Sequence, residues 1–212
     1  MALDTNKNYS TENKRLAKNT FVLYLRMILT VGISFYTTRL VLANLGVEDY
    51  GTYNVIGGFV SMFYMLTSTM TGAVGRFLAF EQGCGKLERL KATFYSSFNL
   101  LLLLSLLVIL IGETFGLWFL NNKLTIESDR LFAANWVYQF TLMSFLLEMI
   151  SVPYNASIVA HEKMGTFAFV TIFKVLLNLC VALLLSISPI DRLIFYGVSF
   201  CLIGVIVQIM YW

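Results

Sequence analysis

Five ionisable side chains stand out inside the long apolar runs of the sequence: Arg26, Arg39, Arg76, Glu148 and Lys174. In hydrocarbon, each is costly unless it snorkels, pairs or faces water, so these positions are where chemistry is expected. A guanidinium fork suits phosphate-like anions. Arg26 and Arg39 are 13 residues apart, which on a helix is ~20 Å along the axis, one toward each side of a membrane. Arg26 shares its face with Thr30 and Thr37, and Arg39 shares a different face with Gly32 and Tyr36. The functional expectation is that Arg26 and Arg39 line a water-filled cavity and bind an anion. The competing expectation is that each snorkels to the nearer interface, or that Arg39 pairs with Glu48 or Asp49.

Glu148 and Lys174 lie on either side of a tight turn near Glu162, 14 residues before it and 12 after it. On antiparallel helices they share a depth, ~20 Å from the turn. Ser144, Glu148, Ser151 and Asn155 form one polar face, and Thr171, Lys174 and Asn178 another. Two such stripes predict either a buried structural ion pair or a hydrated cavity used for ion or proton coupling. Pro153 removes a backbone donor and is expected to kink its helix. Ser68, Gly72 and Arg76 repeat at four-residue spacing, as do Thr67, Thr71 and Gly75. Small residues so spaced let helices approach closely, so Ser68, Gly72 and Gly75 read as packing seams. Arg76 is near a helix end, where snorkelling is its default.

Other chemistries lack their residues. His161 is the only histidine, and Cys84, Cys180 and Cys201 are far apart, so a zinc site, a disulfide framework and a thiol centre have no ligands. His161-Glu162 lacks the second histidine of a zinc protease, and no Walker loop or dinucleotide fingerprint is present. No enzyme, cofactor, metal or nucleic-acid partner is expected.

The elements that must position these residues follow from composition. The chain has 212 residues, 58% hydrophobic and 13% charged, with mean hydropathy +0.75. A soluble domain carries about 25% charged residues, so the lipid bilayer must cover the outside of this one. The polar residues 1–18 are a cytoplasmic N-terminal tail rather than a cleaved signal. Residues 19–212 hold six stretches of the ~20 apolar residues a spanning helix needs: about Asn19 to Leu45, Thr52 to Phe80, Phe94 to Leu120, Leu131 to Ala160, Gly165 to Ser186 and Arg192 to Trp212. The turn Gly46 to Gly51 separates the first two, and Ser188-Pro189-Ile190-Asp191 the last two. The fold expected is an all-α polytopic membrane protein. Lys7, Lys14, Arg15, Lys18, Lys86, Arg89, Lys91 and Lys163 fall on one side, against Lys123, Arg130 and Arg192 on the other. The positive-inside rule then places both termini in the cytoplasm. The close of the chain on the aromatic pair Tyr211-Trp212 points to a fragment of a longer transporter.

Tyr36-Thr37-Thr38-Arg39, followed by Leu45-Gly46-Val47-Glu48-Asp49-Tyr50-Gly51-Thr52-Tyr53-Asn54, resembles the first-helix and first-loop signature of bacterial polysaccharide-export flippases. Gly75-Arg76-Phe77-Leu78 with Glu81-Gln82-Gly83 is similar to that family's second-helix end. These proteins belong to the multidrug/oligosaccharidyl-lipid/polysaccharide flippase superfamily. The resemblance covers roughly residues 19 to 91; beyond them it rests on helix count and loop length. It implies two lobes of six or seven helices, twelve to fourteen in all, around a cationic cavity in the bacterial inner membrane. It also implies alternating-access flipping of undecaprenyl-diphosphate-linked oligosaccharide, for capsule, O-antigen or exopolysaccharide synthesis. This chain would be the N-terminal lobe, its partners the lipid-linked substrate and a C-terminal lobe of the same protein, with Arg39 and Arg26 as cavity cations. An ion-coupled multidrug exporter of the superfamily would instead carry mainly acidic cavity residues. A non-transporting six-helix scaffold would leave its arginines at lipid interfaces.

Overall fold

The computed structural model describes residues 2–124, 126–188 and 191–211, with the side chains of 2–13, 15 and 128 excepted. Lys7 and Arg15 of the expected cytoplasmic side, Pro189 and Ile190 of the expected turn, and Trp212 of the terminal pair lie outside the described side chains. All regular structure among the described residues is helical. The elements are α1 (Ala2–Gly83), α2 (Leu87–Ile111), a π-helical turn (Gly112–Gly116), α3 (Leu117–Asn122), α4 (Ser128–Ala160), α5 (Met164–Leu184) and α6 (Arg192–Met210). Five stretches are long and apolar enough to cross a membrane: Leu16–Gly83, Leu87–Asn122, Asp129–Ala160, Met164–Leu184 and Arg192–Met210.

The expected six-residue turn after Leu45 is replaced by a break at one residue. Gly46 has φ 81° and ψ 173°, and helical geometry resumes directly after it. That backbone region is open essentially to glycine alone, so one residue can do what a loop was expected to do. The chain folds back there: Arg26 and Thr71 line one cavity, whereas 45 residues of straight helix would hold them ~68 Å apart.

The bundle is organised around α4. Its buried positions, among them Ala134, Val137, Tyr138, Phe145, Met149 and Ala156, recur at helical spacing along more than one side. Val41, Leu45, Ile56, Val60 and Leu78 of α1 close over that surface. The outer faces stay apolar and exposed, as at Phe21, Ile28, Leu103, Phe169 and Ile209. Water would reject such a surface, and acyl chains would accept it.

Polar contacts mark the two ends. At the Gly46 end, Arg130 bonds Asp49 at 3.1 Å and Asp191 at 2.7 Å, tying α1, α4 and the start of α6 together. Arg192 donates to the Asn44 carbonyl at 2.9 Å, and Asn44 donates to the Ala182 carbonyl at 3.3 Å. The expected pairing of Asp49 with Arg39 does not form, because Asp49 is already held by Arg130. At the Gly83 end, Tyr154 stacks on Tyr211 and meets Phe94 edge to face.

The three expected seam residues divide within this chain. Ser68 and Gly72 lie on the exposed side of α1, and a Cβ at Gly72 would meet nothing within 4 Å. The inward line is Thr67, Thr71 and Gly75, with Gly75 at 4.0 Å from the Ala156 Cβ. One residue is ~100° of rotation, so neighbouring stripes face opposite environments. Close approach falls instead at Gly116, where an added Cβ would overlap the Tyr138 hydroxyl, and at Gly197 and Gly204 against α4.

Candidate functional site: a charged cavity between α1, α4, α5 and α6

A cavity of about 260 Å³ opens between both limbs of α1 and helices α4, α5 and α6. Arg26 and Thr71 reach it from α1, Glu148, Ser151 and Asn155 from α4, Phe167, Thr171 and Lys174 from α5, and Val207 and Tyr211 from α6. The helical period explains the α4 set: positions 148, 151 and 155 share a face. Ser144, one turn further, is buried and bonds its own helix at the Phe140 carbonyl. Asn178 likewise turns to the Lys174 carbonyl.

The structure brings Glu148 and Lys174 together. The ammonium lies 2.6 Å from the carboxylate, with both side chains about a third exposed within the chain. Arg26 stands apart from that pair. Its guanidinium carbon sits 4.6 Å over the Phe167 ring, and its Nε is buried with no hydrogen-bond partner. With Lys174 matched by Glu148, the cavity retains one formal positive charge, on Arg26. The hydroxyls around it are engaged with protein. Ser151 donates to Gln208 at 2.7 Å, and Tyr211 donates to Asn155 at 2.7 Å. These bonds hold the walls, and Arg26 is the one charged side chain lining the cavity without an ion-pair partner among the described residues.

Arg39 is not in this cavity. It is exposed on the outside of α1, and no hydrogen bond or ion pair reaches it among the described residues. Thirteen residues rotate a helix by about 220° beyond whole turns, so Arg26 turning inward sends Arg39 outward. Arg76 is also exposed, its Nε bonding the Gly72 carbonyl at 3.3 Å. Pro153 sits inside α4 with its ring buried, where it withholds the amide that would bond the Met149 carbonyl.

Sequence reading passed over two groups. Arg130, Asp49 and Asp191 are far apart in the chain, and local periodicity cannot pair them. Glu113 is an acid within an apolar run, which is itself the signal. It accepts a hydrogen bond from Gln139 at 3.1 Å. No group of three or more His, Cys, Asp or Glu side chains is placed to hold a metal among the described residues.

The sequence pattern of the MatE family matches residues 23–184, from the first turns of the membrane part of α1 to the end of α5. The chain belongs to the MatE family. No curated protein and no solved structure gives a significant match. MatE proteins are transporters rather than enzymes, and the MatE match together with the apolar helices makes this a multi-pass membrane protein. The matched region contains Arg26, Glu148 and Lys174; α6 and its Tyr211 wall lie beyond it.

Proposed function

We propose that the chain forms one six-crossing lobe of a transporter that flips undecaprenyl-diphosphate-linked oligosaccharide across the bacterial cytoplasmic membrane by alternating access. The folded-back α1 supplies two of the six crossings, both termini are cytoplasmic, and a C-terminal lobe of the same protein completes the path. The observation that carries this reading is the buried Arg26 Nε without a partner, in a cavity whose remaining charges cancel. A diphosphate cannot enter hydrocarbon unaided, and a fixed, hydrated guanidinium offsets its charge. Pro153, on the α4 wall between Ser151 and Asn155, supplies the point at which that wall bends as the cavity opens. Arg39, on the exposed face of α1, meets the substrate where the two lobes face each other.

The test uses the full-length protein in liposomes carrying a fluorescent polyprenyl-diphosphate-linked sugar. Arg26→Ala should slow flipping by about tenfold or more, the loss of one charge-assisted hydrogen bond, and Arg26→Lys should recover part of the rate. Unchanged flipping in Arg26→Ala would overturn the assignment. One observation favours multidrug export instead: Glu148 faces the same cavity as the aromatic walls Phe167 and Tyr211. That reading requires efflux of organic cations that Glu148→Gln abolishes. The scaffold reading accommodates the exposed Arg39 but leaves the inward Arg26 without a role.

A further inference from the structure

The charge of the Arg26 cavity does not match the ligand proposed for it. The charged groups that line it are Arg26, Glu148 and Lys174. With Lys174 matched by Glu148, one positive charge is on offer. A diphosphate held in a diester carries a negative charge on each of its two phosphates. The second phosphate needs a cation of its own, and the other cation lining the cavity is Lys174.

Lys174 stands on the wall that such a ligand would follow. Phe167, Thr171 and Lys174 lie along one face of α5, and all three line the cavity. The Arg26 guanidinium carbon is 4.6 Å from the centre of the Phe167 ring. From Phe167 to Lys174 the helix makes about two turns and rises ~10 Å. One wall therefore carries a cation at each end. Between them Thr171 is neutral and donates its hydroxyl to the Phe167 carbonyl at 2.8 Å.

The Glu148–Lys174 pair is one that a ligand can exchange. A single carboxylate oxygen meets the ammonium, at 2.6 Å, and both side chains stay about a third exposed. No other hydrogen bond or ion pair reaches Glu148 among the described residues. Its neighbours in the cavity are engaged elsewhere: Ser151 with the Leu147 carbonyl and Gln208, and Asn155 with Tyr211. An ammonium is a point charge with three rotatable donors, and Glu148 takes one of them. The contrast is Arg130, whose one guanidinium is gripped by both Asp49 and Asp191.

We infer that Lys174 is the second phosphate site of the cavity, and that Glu148 occupies it as an internal stand-in until a diphosphate displaces the carboxylate. This rests on the reading that the cavity takes a lipid-linked diphosphate. Glu148 is then a selectivity element. A ligand with one phosphate is satisfied at Arg26 and meets only repulsion from Glu148. A ligand with two phosphates gains Lys174 as well, which offsets the displacement. A repulsive group that disfavours the wrong ligand is a general route to specificity. Ion partners are exchanged, and no proton moves.

The test is equilibrium binding of two lipids to the full-length protein in detergent: farnesyl-diphosphate-linked N-acetylglucosamine and its monophosphate-linked counterpart. The quantity read is the ratio of their Kd values. Glu148→Gln frees Lys174 and should widen the preference for the diphosphate by about tenfold, the worth of one charge-assisted contact. Adding Lys174→Met to Glu148→Gln strands no charge and should erase that gain. A pair that only braces the helices gives no gain in either variant. Arg26→Ala should weaken both lipids by a similar factor. A preference unmoved or narrowed in Glu148→Gln, or a gain that survives Lys174→Met, overturns the inference, and the cavity reading stands as long as Arg26→Ala weakens both lipids. Binding of both lipids unmoved in Arg26→Ala overturns the cavity reading and the inference with it.

Discussion

At the scale of single residues, the cavity is governed by how its three charges are shared out. Lys174 and Glu148 neutralise each other at 2.6 Å, and Arg26 is left to the Phe167 ring and the open space. Removing one member of the pair strands the other charge away from bulk water. Lys174→Met should therefore lower stability by about 2 kcal/mol, toward the small end for a broken pair because both side chains are partly exposed. In detergent this reads as a melting temperature lower by about 5 °C. The double variant Glu148→Gln with Lys174→Met strands nothing and should recover most of the loss; a double variant as unstable as the single would contradict a structural pair. The equal depth of these two residues could be counted in the sequence, because a short turn between antiparallel helices converts residue number into depth. Glu113 was visible as an acid in an apolar run, but its partner Gln139 is uncharged, so nothing in the sequence pairs the two.

At the scale of elements, two backbone irregularities determine where side chains go. Gly46 breaks α1 in a conformation that other residues avoid, and it does so in open space. Gly46→Ala should cost about 2 kcal/mol from backbone strain alone, visible as loss of properly inserted protein. Gly72→Ala, in a regular helix with nothing within 4 Å, should be neutral or slightly stabilising. Gly116→Ala should be worse than either, because the new methyl displaces the Tyr138 hydroxyl and with it the bond to the Gly112 carbonyl. Comparing the yield of folded protein and the melting temperature of the three variants checks the order. The apolar helices were legible because length and hydropathy alone mark a membrane-crossing segment. The single-residue break was not: Gly-Val-Glu-Asp-Tyr-Gly has the composition of a loop, and long-range contacts such as Asp49 with Arg130, and Tyr53 with Tyr196 just beyond it, are invisible to local composition. The π turn was hidden for a related reason, since its cause is a tyrosine 26 residues away.

At the scale of the whole molecule, the two ends of the bundle differ in charge and in fastening. Lys86, Arg89, Lys91 and Lys163 cluster where α1 meets α2 and α4 meets α5. The opposite end holds fewer cations, and two of them, Arg130 and Arg192, are engaged with Asp49, Asp191 and the Asn44 carbonyl. Cations near short connections stay on the cytoplasmic side during insertion, so the Gly83 end should face the cytoplasm and the arginine-fastened end the outside. Lys163 and Lys123 report this well, since both are exposed and stand at opposite ends. With Cys84, Cys180 and Cys201 replaced by serine, Lys123→Cys should react with a membrane-impermeant maleimide in intact cells. Lys163→Cys should react only after permeabilisation. The inverse pattern would turn the molecule over and put the Tyr211 wall of the Arg26 cavity at the outer surface. The orientation decides what the cavity can do. With the Gly83 end inside, Arg26 lies on the cytoplasmic half of its helix, which under the proposed function is where an incoming lipid diphosphate would first need a counter-charge. Under the proposed function, a cavity that takes an anion toward one face gives the bundle a polarity, and the maleimide pattern fixes which way it points.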